Sequence, residues 1–172
     1  AGDSPMILPN PQNAWEKKAV FNPAAIDLDG KVHVLYRAMG EDNTSVIGLA
    51  TSKDGITVDE RLPEPIYTPR ADFEQKRTPG GNSGCEDPRI TQIDDALHML
   101  YTAYDGVNSP RVAATSIEVK DFLQRKWNWK TPQLISPLGV DDKDACLLTR
   151  KINAKFVLVH RIANTICAHY FD

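Results

Sequence analysis

The chain has 172 residues, 41% hydrophobic and 25% charged, with a formal net charge of -3 at pH 7. That suits one globular domain with its own core, and the absence of a Lys/Arg-rich run excludes a nucleic-acid footprint. No apolar run approaches the roughly 20 residues of a membrane-spanning helix, so neither nucleic acid nor membrane is expected as a partner.

In chain order, residues 1–18 are proline-rich and aperiodic, an extended lead-in with Trp15 as its anchor. From Ala19 the pattern turns to strands. Ala19 to Leu28 is apolar, Asp29-Gly30 is a two-residue hairpin signal, and Val32, Val34 and Tyr36 alternate with period two. A third run, Ser45 to Ser52, ends at Asp54-Gly55. The stretch from Ile56 to Thr68, interrupted by prolines, predicts an outer, edge-like strand. Further on, Asp121-Phe122-Leu123 predicts a single helical turn, and Trp127 and Trp129 read as packing between neighbouring units. The cysteines Cys85, Cys146 and Cys167 are odd in number and widely spaced, which argues against a disulfide framework or zinc site and fits a reducing, cytoplasmic compartment. Asp141, Asp142 and Asp144 read as channel or turn residues, and neither a metal nor another cofactor is expected.

The four-strand unit recurs. Phe21-Asn22-Pro23-Ala24-Ala25-Ile26 resembles Glu86-Asp87-Pro88-Arg89-Ile90 in kind, a polar residue and a proline opening an apolar strand. Val34-Leu35-Tyr36-Arg37-Ala38 matches Met99-Leu100-Tyr101-Thr102-Ala103, and Gly48 to Ser52 matches Val112 to Ser116. A third copy starts at Lys143-Asp144-Ala145 and runs through Phe156 to His160 and Thr165 to Ala168. Repeats of four short strands predict an all-β fold of β-propeller blades, with stacked hairpins of a sandwich as the alternative. Blade one spans about 19–70, blade two about 85–137 and an incomplete blade three about 143–172, all in a single domain over 1–172. In a propeller, Asn22, Asp87 and Asp144 would face one axis. Arg37, Thr102 and His160 would ring the same mouth, which requires His160 to occupy the place of Arg37 in the third copy. Polar groups converging from separate blades make a small-ligand pocket.

At the centre of this pattern stands Gly84-Cys85-Glu86-Asp87-Pro88-Arg89. Two adjacent carboxylates between a glycine-rich loop and a proline can present one acid to a cleft while its neighbour is held by hydrogen bonds. A general acid needs that fixed position first and a tuned pKa second. The alternative is a strand start with a solvated acid pair and an Arg partner.

Taken together, these motifs resemble glycoside hydrolase family 130, the inverting mannoside phosphorylases and related β-mannosidases. The resemblance is carried by Val20-Phe21-Asn22-Pro23-Ala24, Leu35-Tyr36-Arg37-Ala38, Ile47 to Ser52, Gly84 to Arg89, Tyr101 to Gly106, Pro110-Arg111-Val112-Ala113, Lys143-Asp144-Ala145 and His160-Arg161. It implies a five-bladed propeller, of which this chain would supply about two and a half to three blades. It implies Asp87 as proton donor, Asn22, Arg37, Ser45, Tyr104 and Asp105 around the mannosyl site, and Arg111, Lys143 and His160 as a phosphate pocket. An inverting hydrolase needs a second carboxylate to activate water. A phosphorylase needs only the acid, because inorganic phosphate is already an anionic nucleophile, and cations to hold it. The cationic set therefore favours phosphorolysis of a β-mannoside or manno-oligosaccharide to mannose 1-phosphate. Hydrolysis, or sugar binding without turnover by a part-propeller, remains the alternative. Ending at Asp172, the chain reads as a fragment, as a short form completing its ring with a second copy, or as a non-catalytic remnant.

Overall fold

The computed structural model describes residues 4–171. Three antiparallel modules follow one another. The first comprises β1 (Ala19–Leu28), β2 (Lys31–Met39), β3 (Thr44–Ser52) and the two-residue β4 (Glu60–Arg61). The second comprises β5 (Ser83–Ile93), β6 (Ala96–Tyr104), β7 (Arg111–Glu118) and, after the short helix α1 (Val119–Leu123), β8 (Gln133–Leu134). The third has β9 (Asp142–Leu147), β10 (Phe156–Ile162) and β11 (Thr165–Phe171). The fold is all-β. The outer strand expected over 56–68 is only β4 plus a bridge from Tyr67 to Ile47, because Pro63 and Pro65 remove ladder donors there. The helical turn expected at 121–123 starts two residues earlier, at Val119.

Residues with left-handed backbone show why the modules repeat. Asp29 (φ 54°) with Gly30 (φ 70°) closes the β1–β2 hairpin, the geometry that Asp-Gly favours. Each leading strand also carries a bulge at the same point. The ladder skips between Phe21 and Ala24, between Glu86 and Arg89, and between Lys143 and Cys146. The extra residue in each is left-handed: Asn22 (φ 48°), Asp87 (φ 50°) and Asp144 (φ 57°). Asn and Asp tolerate that conformation better than other side chains, which accounts for the residue type found there. A bulge breaks the alternation of faces and re-aims the side chain. The three leading strands stand side by side, β1 against β5 and β5 against β9.

Apolar layers lie between modules. Leu35, Ile47, Leu49, Tyr67, Leu97, Met99, Tyr101, Ile117, Phe122 and Trp129 form the main core across the first two modules. Trp129 donates its indole N–H to the Ile66 carbonyl at 2.9 Å, so it does pack between units. A second layer joins Ile93, Leu100 and Val112 to Ala145, Leu147 and Leu158 of the third module. The lead-in covers the far side of the first: Trp15 packs with Tyr36, Ala38 and Val46 and donates to the Pro63 carbonyl at 2.9 Å. On the third module, β11 leaves Ile166 76% and Tyr170 58% exposed.

The third register differs from the expected one. Phe21 faces Arg37 and Glu86 faces Thr102, but Lys143 faces Arg161. Arg161, not His160, therefore takes the place of Arg37 and Thr102. His160 instead occupies the place of Tyr36 and Tyr101, opposite the bulge. The outgoing arm of the third hairpin is longer, shifting the ladder from Leu147–Leu158 to the Ile152–Lys155 bridge. A one-residue slip in a strand moves a side chain to the other face, and here it sends His160 into the interior.

Candidate active site

The site grows from the second bulge. In a regular strand, Glu86 and Asp87 would point to opposite faces. The left-handed turn at Asp87 brings both carboxylates to one guanidinium. Arg37 donates from Nη2 to Glu86 Oε1 at 2.7 Å and from Nη1 to Asp87 Oδ1 at 3.0 Å. Its Nε donates to Ser45 Oγ at 2.9 Å, and its face lies 4.5 Å from the Phe21 ring centroid. Each guanidinium nitrogen of Arg37 thus makes a hydrogen bond, and the residue is 9% exposed. Such charge-assisted, planar pairing is geometrically specific.

Gly84 makes this meeting of modules possible. β3 and β5 pair in parallel at Ser45–Gly84, and Tyr104 pairs with Gly84 from the other side. A Cβ on Gly84, whose φ is +108°, would lie 2.2 Å from the Ser45 carbonyl oxygen. Only glycine fits that approach. Gly84 therefore brings Ser45 and Arg37 of the first module against Glu86 and Asp87 of the second.

Electrostatics follow from partial burial. Desolvation pushes the Glu86 carboxyl above the usual carboxylate range, Arg37 and Lys143 pull it down, and neighbouring Asp87 pushes it up. Lys143, at the start of β9, is therefore close enough for its charge to bear on Glu86. It also lies 3.9 Å from Asp141.

Of the residues expected in the mannosyl site, Arg37 and Ser45 form one bonded cluster with Asp87, the expected proton donor. Asn22 stands exposed at its own bulge, on the strand that packs beside β5. Tyr104 is half-buried on the far side of Gly84. Asp105 is placed differently. It is 2% exposed, and its carboxylate accepts from the Val107 and Asn108 amides at 2.9 and 2.8 Å, from Asn108 Nδ2 at 2.6 Å and from Arg77 Nε at 3.1 Å. Burial would raise its pKa, but the amide hydrogen bonds outweigh burial and hold it below the usual range. Asp105 ties the loop after β6 to the segment before β5, and all its acceptor positions are used in doing so.

The expected phosphate set is only partly brought together. Lys143 bears on Glu86 through its charge and otherwise lies 3.9 Å from Asp141. Arg111 opens β7 and makes no side-chain hydrogen bond or ion pair with any of the described residues. His160 is 5% exposed, with Nδ1 donating to Asp142 at 2.7 Å and Nε2 facing His169 Nδ1 at 2.6 Å. Both of its ring nitrogens are engaged within the third module. Among the described residues, no three His, Cys, Asp or Glu side chains are placed to hold a metal ion.

Three features escaped the sequence reading. The first is which arginine partners the acid pair: Arg37, shared by Glu86 and Asp87. Phe21 floors the guanidinium, and an aromatic placed directly before the first bulge was the available signal. The third is a repeated buried pair: Tyr36 with Glu16, Tyr101 with Glu74 and His160 with Asp142. In each of the three modules, the residue opposite the bulge bonds a buried carboxylate, from the segment before the leading strand in the first two and from the leading strand itself in the third.

A family model described as beta-1,4-mannooligosaccharide phosphorylase matches residues 7–170. A beta-1,2-mannobiose phosphorylase from Thermoanaerobacter sp. (strain X514) is 36% identical over 92% of this chain and 52% of its own length. A 1,2-beta-oligomannan phosphorylase from the same organism is 36% identical over 92% of this chain and 51% of its own length. Among solved structures, a glycosyl hydrolase from Bacteroides ovatus superposes with a TM-score of 0.77 at 25% identity, covering 98% of this chain and 54% of that one. A structure described with the GH130 mannoside phosphorylases, a family containing glycoside hydrolases that target beta-1,2 mannosidic linkages in Candida mannan, gives 0.73 at 25% identity, covering 99% and 56%. The chain spans about half the length of the curated relatives it matches. With its motifs in family order on bulged, repeated strands, and its relatives matched along nearly its whole extent, this chain belongs to glycoside hydrolase family 130.

Proposed function

We propose that this chain carries the proton-donor half of a β-mannoside phosphorylase site. The observation behind that reading is the Arg37–Glu86–Asp87 cluster, with the charge of Lys143 bearing on it and one oxygen of Asp87 not held by Arg37. In this reading the modules are successive blades of a five-bladed propeller, and the bulge residues line its axis. Protonated Asp87 gives its proton to the glycosidic oxygen, directly or through a sugar hydroxyl. The bond from that oxygen to the anomeric carbon breaks, its electron pair staying with the leaving sugar. An oxygen of inorganic phosphate bonds to the anomeric carbon from the opposite face, forming mannose 1-phosphate with inversion. Asn22 and Tyr104 are open to contact the mannosyl unit, while Arg37 and Ser45 hold the acid in place. Lys143 and Arg111 bind phosphate. His160 joins them only if His169 releases its Nε2.

Phosphorolysis is favoured over hydrolysis because the positive charge of Lys143 bears on the acid pair, which suits an anionic nucleophile. The test is release of mannose 1-phosphate from a β-1,2- or β-1,4-linked mannobiose. The expected result is a phosphate-dependent product that disappears in Asp87→Asn. Free mannose formed equally well without phosphate would replace this reading with hydrolysis. Mannoside binding by calorimetry with no product would leave a binding module.

A further inference from the structure

We propose that Phe21 is a positioning residue for the reaction: its ring covers one face of Arg37 and keeps the guanidinium in the plane that holds Glu86 and Asp87 together. The inference rests on the reading of Asp87 as proton donor. The N–H groups of a guanidinium lie in its plane. The bonds from Nη2 to Glu86, Nη1 to Asp87 and Nε to Ser45 therefore restrain Arg37 mainly within that plane. Restraint against tilting comes from the Phe21 ring, whose centroid lies 4.5 Å from Arg37 Cζ. Guanidinium groups stack on aromatic faces, and the attraction grows where water is excluded.

The ladder places the ring there. Phe21 on β1 and Arg37 on β2 are cross-strand partners at the last paired rung before the Asn22 bulge. Cross-strand partners project to the same face, so ring and guanidinium leave the backbone side by side. The third module offers the contrast. Arg161 holds the place of Arg37 and bonds Asp144, but its cross-strand partner is Lys143. Among the described residues no aromatic ring covers it. The Arg161 side chain is 34% exposed, against 10% for Arg37. Of two Arg–Asp pairs at equivalent places, the one closed to water is the one with a ring over it. That matters for a general acid, because a displacement of about 1 Å in a catalytic group can cost roughly 10²-fold in rate. An arginine free to tilt would carry Asp87 with it.

The test is hydrogen exchange of the Arg37 Nε–H, followed by NMR in the 172-residue chain, which needs no turnover. In Phe21→Leu that exchange should quicken about tenfold. Exchange of the Arg61 Nε–H, bonded to Glu16 and Tyr36, should stay as it was. Phe21→Tyr keeps the ring and should keep the exchange slow. In turnover, Phe21→Leu should lower kcat about tenfold with KM within about twofold, and Phe21→Tyr should recover it. Unchanged Arg37 exchange in Phe21→Leu overturns the proposal, and so does equal quickening at Arg37 and Arg61, the mark of general loosening. A raised KM with kcat intact also overturns it, since Phe21 would then be a substrate contact. Should Phe21→Leu fail to fold, the unmodified chain decides: nuclear Overhauser contacts should join the Phe21 ring protons to the Arg37 Nε–H, and their absence overturns it. The two readings fail separately. If Asp87→Asn retains activity, the proton-donor reading falls whatever the exchange shows. If Asp87→Asn is inactive but Arg37 exchanges independently of Phe21, only the present inference falls.

Discussion

The second and third modules carry the same backbone device and put it to different use. Asp87 and Asp144 occupy equivalent left-handed bulge positions, with φ of 50° and 57°. Asp87 is 19% exposed and bonded to Arg37 from the preceding module; Asp144 is 43% exposed and bonded at 2.7 Å to Arg161 of its own hairpin. The repeat sets where the carboxylate points. The neighbouring module sets what the carboxylate can do. Among the described residues, the second module is flanked on both sides: the first supplies Arg37, Ser45 and Phe21, and the third supplies the charge of Lys143. Asn22, at the equivalent position in the first module, shows the limit of the device, since a bulge without a carboxyl group cannot donate a catalytic proton.

The sharpest way to break this comparison is to neutralise both acids. Asp87→Asn should reduce phosphorolysis by about 10²–10⁴-fold, the usual worth of a positioned general acid. Asp144→Asn should change it by less than about fivefold, as expected for an exposed ion pair. Equal losses would show that the bulge position, not its neighbours, confers the role. Measured as stability, the same contrast appears between interior and edge. Trp129→Ala opens the layer between the first two modules and should cost about 3–5 kcal/mol in denaturant unfolding. Ile166→Ala on the exposed face of β11 should stay within about 0.5 kcal/mol. A smaller effect is expected from Arg37→Lys, which keeps the charge but loses the planar fork. With one charged hydrogen bond gone, kcat/KM should fall roughly 10–100-fold, while Arg161→Lys should leave it nearly unchanged.

How far the sequence carried this picture depends on how local each feature is. The repeat positions were legible, though not their bulged geometry, because each is written in a few consecutive residues: Asn22-Pro23, Asp87-Pro88 and Asp144-Ala145. The hairpin at Asp29-Gly30 and the interior role of Trp129 were legible for the same reason. The register of the third hairpin was not. Its extra residues lie between Leu147 and Lys155, where a spacing count from either end is off and nothing in the residue types marks it. That error alone moved His160 from the mouth to the interior. The Arg37–Glu86 contact was invisible for another reason: its partners are 49 residues apart and meet only because Gly84 lets two modules touch. The buried Glu16, Glu74 and Asp142 lie at unequal distances before their bulges. A recurring role in space therefore leaves no recurring interval in the chain.

The least expected effect concerns His33 and His98, which hold equivalent places four residues before Arg37 and Thr102. Each packs its ring on an aromatic of the next module, His33 on Phe122 at 5.4 Å and His98 on Phe156 at 5.9 Å. Burial holds both below the usual histidine value of 6.5; Lys31 and Arg125 add to the lowering at His33, and Lys130 and Lys151 at His98. The unfolded chain therefore takes up protons at a higher pH than the folded one. Stability should be full above pH 6.5 and decline as the pH falls through 6.5 toward the depressed folded values. His33 is 8% exposed and its Nδ1 has no hydrogen-bond partner, so its share should exceed that of half-buried His98. Replacing each in turn by Gln and following Tm from pH 8 to pH 5 tests this. His33→Gln should remove about 2 °C of the acid-side loss and His98→Gln less. An acid-side loss left intact by both substitutions would mean that the carboxylates of the site, and not the imidazoles between modules, set the acid stability of the chain.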